Sequence, residues 1–132
     1  MNHPVVIRDA ASSDFFEALS RDVFLLTRDR ETGRVLDVQE TPHMDPDRIE
    51  QFAASGYATV VSSSIIHIRG AGGVPSRDFV GIVRLDEGPW WWTRFGEVDS
   101  LLPEGARMRV AFDKSSVDRG GEVIPFFVPR IP

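Results

Sequence analysis

One stretch constrains the fold of this chain more than any other, the segment from Gly56 to Phe95. It reads GYATVVSSSIIHIRG and then, after a glycine-rich break, DFVGIVRLDEGPWWWTRF. Two runs rich in β-branched and aromatic residues meet at the turn Asp86-Glu87-Gly88-Pro89, and a block of three tryptophans follows the turn directly. Such a pattern predicts a small all-β barrel with a heavy aromatic load on one strand. On that strand Trp90 and Trp92 share one face and Trp91 takes the other. One face can fill a barrel; the other is left to solvent, to another chain, or to cover by the N-terminal segments. Tryptophan and arginine are favoured anchors of interfaces, so Trp90, Trp92 and Arg94 are the candidate partner or ligand surface.

The remaining strands are read from the same alternation. Thr59 to Ile68 is long enough to bend across two sheets, and Phe79 to Leu85 pairs with Trp90 to Phe95 across the turn. Arg107 to Asp113 alternates cleanly, with Met108, Val110 and Phe112 inward. Glu122 to Val128 closes the set after a turn at Ser115 to Gly121. Five strands with a long first one suit a Greek-key barrel of the OB type. Alternation also groups Ser62 and Ser64 with Val60 and Ile66 on one face.

The region before the barrel is mixed. Residues 1 to 13 read as an extended arm. Asp14 is placed to cap a short helix, with Glu17 three residues on. Phe15 and Phe16 give that helix an apolar side that either packs on the chain's own barrel or docks on a partner. Val23 to Thr27 and Arg34 to Val38 read as a hairpin closed by Gly33. Asp45 caps a predicted linker helix from Pro46 to Ala54, which Gly56 ends. The predicted organisation is therefore an arm and helix over 1–22, a hairpin and linker over 23–55, and the barrel over 56–132.

Bulk properties exclude several classes. The chain has 132 residues, enough for one ordinary domain with a small appendage. It has no cysteine, which removes disulfides, thiolate nucleophiles and thiolate zinc sites. This is compatible with a reducing cytoplasm, the expected location. Net charge is −5, and Lys114 is the single lysine. A nucleic-acid binder would show a basic footprint, and no arginine or lysine run makes one. No apolar run approaches the roughly 20 residues of a membrane helix, and the N-terminus lacks the pattern of a signal peptide.

In order and spacing these segments resemble a family of acyl-CoA-associated proteins that join a zinc ribbon to an OB-fold (domain of unknown function thirty-five). Gly56 to His67 resembles its first barrel strand, and Phe79 to Pro89 its next strand and turn. Leu102-Pro103-Glu104-Gly105 through Phe112 resembles its loop and fourth strand, and Pro125-Phe126-Phe127-Val128-Pro129 its closing strand. The departure lies in the ribbon. Where the family carries CxxCG and CPxC knuckles, this chain has Asp29-Arg30-Glu31-Thr32-Gly33 and Thr41-Pro42-His43-Met44. The glycine and proline remain and all four sulfur ligands are gone, so the resemblance implies a degenerate, metal-free rubredoxin-like ribbon held by packing, with no zinc expected. Such a ribbon forgoes the about 10–16 kcal/mol of apparent zinc binding measured in peptides.

The resemblance implies a non-catalytic accessory subunit. Family members associate with thiolases of the sterol-carrier-protein-like type or with MaoC-type enoyl-CoA hydratases, in lipid, steroid or ketide metabolism, and help to hold the acyl-CoA. A coenzyme A thioester is thus the candidate ligand, and no other cofactor is expected. Arginine binds phosphates through charge-assisted bonds, so Arg69 and Arg77 beside the loop Gly70-Ala71-Gly72-Gly73, with His67, are the candidate CoA contacts. No catalytic constellation is present: His67 has no marked nucleophile or orienting partner, Ser62-Ser63-Ser64 lacks a nucleophile elbow, and the glycine loop lacks the P-loop lysine. His43 beside Asp45 could hold a metal with Asp29, though a lone loop histidine is more often solvated. The alternative reading is an OB-fold that stacks single-stranded nucleic acid on its tryptophans. A third is a thioester enzyme using His67 or Asp86 as base. An exposed tryptophan face would also permit a homodimer.

Overall fold

The computed structural model describes residues 5–9, 12–37 and 44–130. They form two compact units, one of residues 1–55 with 112–125 and the other of residues 56–111 with 126–132.

The second unit carries the barrel. Strands β3 (Tyr57–Arg69), β4 (Pro75–Leu85), β5 (Trp90–Phe95), β6 (Arg107–Asp113) and β7 (Ile124–Pro129) close in the order β3-β4-β5-β7-β6. β3 pairs antiparallel with β4 and with β6, and β4 antiparallel with β5, whereas β5 and β7 meet in parallel at Phe95 and Phe127. Ala58, Val60, Val83, Leu85, Phe95, Met108 and Phe127 are buried; in β6 the predicted alternation shows at exposed Arg107, buried Met108 and exposed Arg109, whereas Val110 to Asp113 are all half-buried. Removing such side chains from water is the main stabilising term, at roughly 25 cal/mol per Å² of apolar surface.

One feature of β3 departs from strict alternation. The register with β4 slips between Val60 and Ser62, so Val61 is the extra residue of a β-bulge. A bulge bends and twists its strand, and here it reverses the faces. Val60 is buried, whereas Ser62, Ser64 and Ile66 are exposed; Ser63 and Ile65 take the half-buried side. The predicted grouping of Val60 with Ser62, Ser64 and Ile66 is therefore broken at residue 61. Ser63 Oγ donates to the Leu102 carbonyl at 2.9 Å, which ties the loop before β6 to the bend. Gly81 faces the bulge from β4: an added Cβ would lie 2.1 Å from the Ser62 carbonyl oxygen. Space alone demands glycine at that position.

The first unit holds helix α1 (Ser13–Leu19) and the two-stranded sheet β1 (Leu25–Asp29) with β2 (Ile49–Ala53). Ser12 occupies the N-cap position and Asp14 sits in the first turn, so the predicted cap moves two residues upstream. The Asp9 carboxylate accepts from the Ser12 amide at 2.9 Å and shapes the entry to the helix. Ala18 and Leu19 are buried, and α1 packs on β1. The extended arm is held at Arg8, whose guanidinium donates twice to Glu122 at 2.8 Å, while the Glu122 amide donates to Val6 O at 2.9 Å.

Two sequence expectations in this unit are corrected. The linker helix over Pro46–Ala54 is a single 3-10 turn, Pro46–Arg48, followed by strand β2. Asp45 does cap it, accepting from the Asp47 amide at 3.0 Å. The chain then pairs with β1 over five residues, Leu25↔Ala53 through Asp29↔Ile49, and a full ladder outweighs a weak helical propensity. The hairpin return predicted at Arg34–Val38 is reduced to one bridge, Arg28↔Val35, and Val38 lies outside the described residues. The turn itself stands: Gly33 has φ +73 and its amide donates to Asp29 O at 2.8 Å.

Candidate functional site

The turn Asp86–Pro89 sets the register of β4 with β5. Gly88 takes φ +117, its amide donates to Leu85 O at 2.8 Å, and the Leu85 amide donates to Pro89 O at 2.9 Å. Arg84 then lies opposite Trp90, Ile82 opposite Trp92 and Val80 opposite Arg94. Residues directly opposite in an antiparallel pair share a face, so these six make one continuous outer surface. Thr59 continues the row beside Arg84, and Arg107 beside Thr59.

This surface is apolar and open. Trp90 is 60% exposed and Trp92 78% exposed, values unusual for the largest apolar side chain. Trp91, opposite the fully buried Val83, is half-buried. Arg94 is half-buried as well, so two of the three predicted contact residues present their side chains openly. Ile82 and Val80 extend the patch, and neither was singled out by sequence. Their signal was present in the alternation of β4, but only the register shows that they flank the tryptophans.

At its edge lies a fixed charge pair. Arg107 donates through both terminal nitrogens to the two oxygens of Asp86, at 2.7 and 2.9 Å, and through Nη1 to the Thr59 hydroxyl at 2.8 Å. The hydrogen bonds from Arg107 hold the Asp86 carboxyl below its ordinary pKa and hold the guanidinium proton more tightly. Both Asp86 oxygens are thus engaged by Arg107 at the edge of the surface. The Arg130 guanidinium stacks over the Tyr57 ring at 4.4 Å beside this pair.

A second feature sits at the far end of the β3–β4 hairpin. His67, Ile68, Arg69, Pro75, Ser76 and Arg77 line an open cavity of about 630 Å³. His67 lies opposite Arg77 and Arg69 opposite Pro75, so the three residues predicted as CoA contacts are brought together. The Arg77 guanidinium is 5.6 Å from the centre of the Phe79 ring. All three are exposed, as are Ile66, Ile68 and Val74 on the same hairpin.

Phe15 and Phe16, the other predicted contact residues, lie in the first unit. They form an edge-to-face pair at 5.5 Å, and Phe15 meets Phe24 edge-on at 5.8 Å. Both rings are half-buried in that cluster.

Among the described residues no group of three or more His, Asp or Glu could hold a metal ion. His43 lies outside them. The Asp29 carboxylate is already engaged: Oδ1 accepts from the Glu31 amide at 2.9 Å and Oδ2 from Arg48 at 2.7 Å. These bonds, the Glu31 amide foremost, hold its pKa below the usual carboxylate range despite burial. An oxygen donor satisfied in this way does not fit a tetrahedral zinc site. Among the described residues no helix is long and apolar enough to cross a membrane.

A closed five-stranded barrel with a long, bent first strand defines an OB-fold, and the fold expected from sequence is confirmed. Residues 52–113 match the family described as ChsH2, C-terminal OB-fold domain. Within that span the chain is similar to the OB-fold domain of that family. A solved structure named "Ltp2-ChsH2(DUF35) aldolase" superposes with a TM-score of 0.73 at 18% sequence identity, covering 98% of this chain and 100% of that one. At that identity the likeness is one of fold. No curated protein sequence matches the chain.

Proposed function

We propose that this protein is a non-catalytic accessory subunit of an enzyme complex acting on acyl-CoA thioesters, in lipid, steroid or ketide metabolism. The observation that carries the reading is the open Trp90/Trp92 face on the barrel. Paired indoles flanked by Ile82, Val80 and Arg94 are what a protein interface uses as anchors, and exposing them has no intramolecular benefit. The family of the OB-fold and the aldolase complex of similar fold support the same reading. A thiolase, a MaoC-type hydratase or an aldolase is the proposed partner class.

The CoA portion of the ligand is assigned to the hairpin cavity. Arg69 and Arg77 would hold its phosphates through charge-assisted bonds, and His67 would line the mouth. No zinc or other cofactor enters the proposal.

The test is capture of the tagged chain from its host, with identification of the co-purified proteins and assay of the complex on acyl-CoA. Recovery of an acyl-CoA enzyme that loses activity without this chain establishes the reading. Recovery of homodimer alone, or a salt-sensitive shift of single-stranded oligonucleotide by the chain, overturns it.

A further inference from the structure

The residues of the degenerate ribbon do not fit a metal, and what they do instead is specific. Asp29 is the one acidic side chain buried among the described residues, at 3% exposure. It ends β1 and opens the turn that Gly33 closes, its own amide donating to Arg34 O at 2.8 Å. Its carboxylate accepts from the Glu31 amide within that turn, and the Thr32 amide and hydroxyl also lower its pKa.

The other carboxylate oxygen leaves the turn. It takes Arg48 Nη2 at 2.7 Å, from the 3-10 turn Pro46–Arg48. Glu31 adds a longer contact to the same nitrogen at 3.4 Å. The Arg30 amide donates to Arg48 O at 2.6 Å and Arg30 Nε to Ile49 O at 3.1 Å. Two turns whose joined residues lie 19 positions apart in sequence are thereby tied at one buried carboxylate.

We propose that the Asp29–Arg48 ion pair is a metal-free cross-link that holds the two turns of this hairpin unit together, the structural task that zinc performs in ribbons with four sulfur ligands. A metal joins its knuckles by coordinating both. Here the first turn supplies a single anionic donor, and a guanidinium from the 3-10 turn Pro46–Arg48 supplies the opposite charge. Because Asp29 is buried, removing Arg48 leaves its carboxylate without a charge partner away from water, which costs more than breaking a surface bridge. The first unit consequently needs no metal to hold this geometry, and a chelator leaves it intact.

The experiment uses the full chain. Asp29→Asn keeps the size and an acceptor for the Glu31 amide but removes the charge; Arg48→Met removes the other partner. Amide hydrogen exchange at Glu31, Thr32 and Gly33 is measured for wild type, both single variants and the double variant, with and without chelator, alongside metal analysis. Each single variant is expected to speed exchange at these amides by about tenfold, with the double variant no faster than the faster single. Wild-type exchange is unchanged by chelator, and the protein carries no bound zinc. Additive effects of the two substitutions overturn the proposal, as does unchanged exchange in Asp29→Asn. Stoichiometric zinc, with protection lost on chelation, overturns it too. Should Asp29→Asn fail to fold, Arg48→Met at a half-exposed site decides it alone.

Discussion

The sharpest consequence of the barrel geometry concerns Gly81→Ala. Its new methyl would stand 2.1 Å from the Ser62 carbonyl oxygen, 2.8 Å from the Phe95 ring and 3.0 Å from Ser63 Cα. Two of these neighbours are backbone atoms of the β3 bulge and cannot rotate away. Strand β3 must therefore retreat around the pairs Ser62↔Ile82 and Ser63↔Gly81. Losing two ladder hydrogen bonds costs about 1 kcal/mol each. Overpacking against Phe95 adds about 1–3 kcal/mol. Alanine returns roughly 0.4–1 kcal/mol by restricting the unfolded chain. The net loss is about 3 kcal/mol. With a urea m-value of about 2 kcal/mol/M, the midpoint falls by roughly 1.5 M. Tryptophan fluorescence reads it directly, because Trp90, Trp91 and Trp92 lie on β5, the strand paired to β4. Gly70→Ala is the internal control. Gly70 has φ −77 and its nearest neighbour to an added Cβ is Val74 O at 3.6 Å, so alanine there should be neutral or stabilise by about 0.4–1 kcal/mol. A Gly81→Ala midpoint equal to wild type, or a loss no larger than that of Gly70→Ala, would refute the close approach and the bulge that creates it.

Three other outcomes are expected. Asp29, Asp86 and Glu122 all have folded-state pKa values lowered by hydrogen bonds, from the Glu31 amide, Arg107 and Arg8 respectively. The unfolded chain then binds more protons than the folded one once pH drops into the ordinary carboxylate range. Stability should be flat near neutrality and fall on acidification through the unfolded and then the folded pKa values; a chemical-unfolding series over pH that rises toward acid would contradict this, and Arg107→Gln should remove the Asp86 share. Trp92→Ala should leave the melting of the isolated chain within about 0.5 kcal/mol of wild type, since the side chain is already exposed, while sharply weakening capture of the partner enzyme in a pull-down. Replacing Arg69 and Arg77 together by glutamine should weaken acyl-CoA binding by the complex in calorimetry without disturbing its assembly; weakened assembly with unchanged ligand affinity would assign the hairpin to docking instead.

How much of this was legible in the sequence differs between the two units. Period-2 alternation is local, so every barrel strand could be read: Trp90–Phe95 and Arg107–Asp113 coincide with the predicted limits. Alternation separated Trp90 and Trp92 from Trp91 but left open whether their face is covered; the structure exposes it. The missing zinc ligands were a matter of composition alone. Tertiary structure decided what local pattern cannot carry. The bulge at Val61 reversed the faces of β3, and nothing in VVSSS announces an extra residue until Gly81 is seen against it. Ile49–Ala53 joined β1 because a five-residue ladder outweighs a short helix, and the identity of that ladder's partner is non-local. Asp86 with Arg107, and Asp29 with Arg48, pair across 21 and 19 positions of sequence. Their charges were visible in the chain, but which charge meets which is fixed only when the backbone brings them within hydrogen-bonding distance.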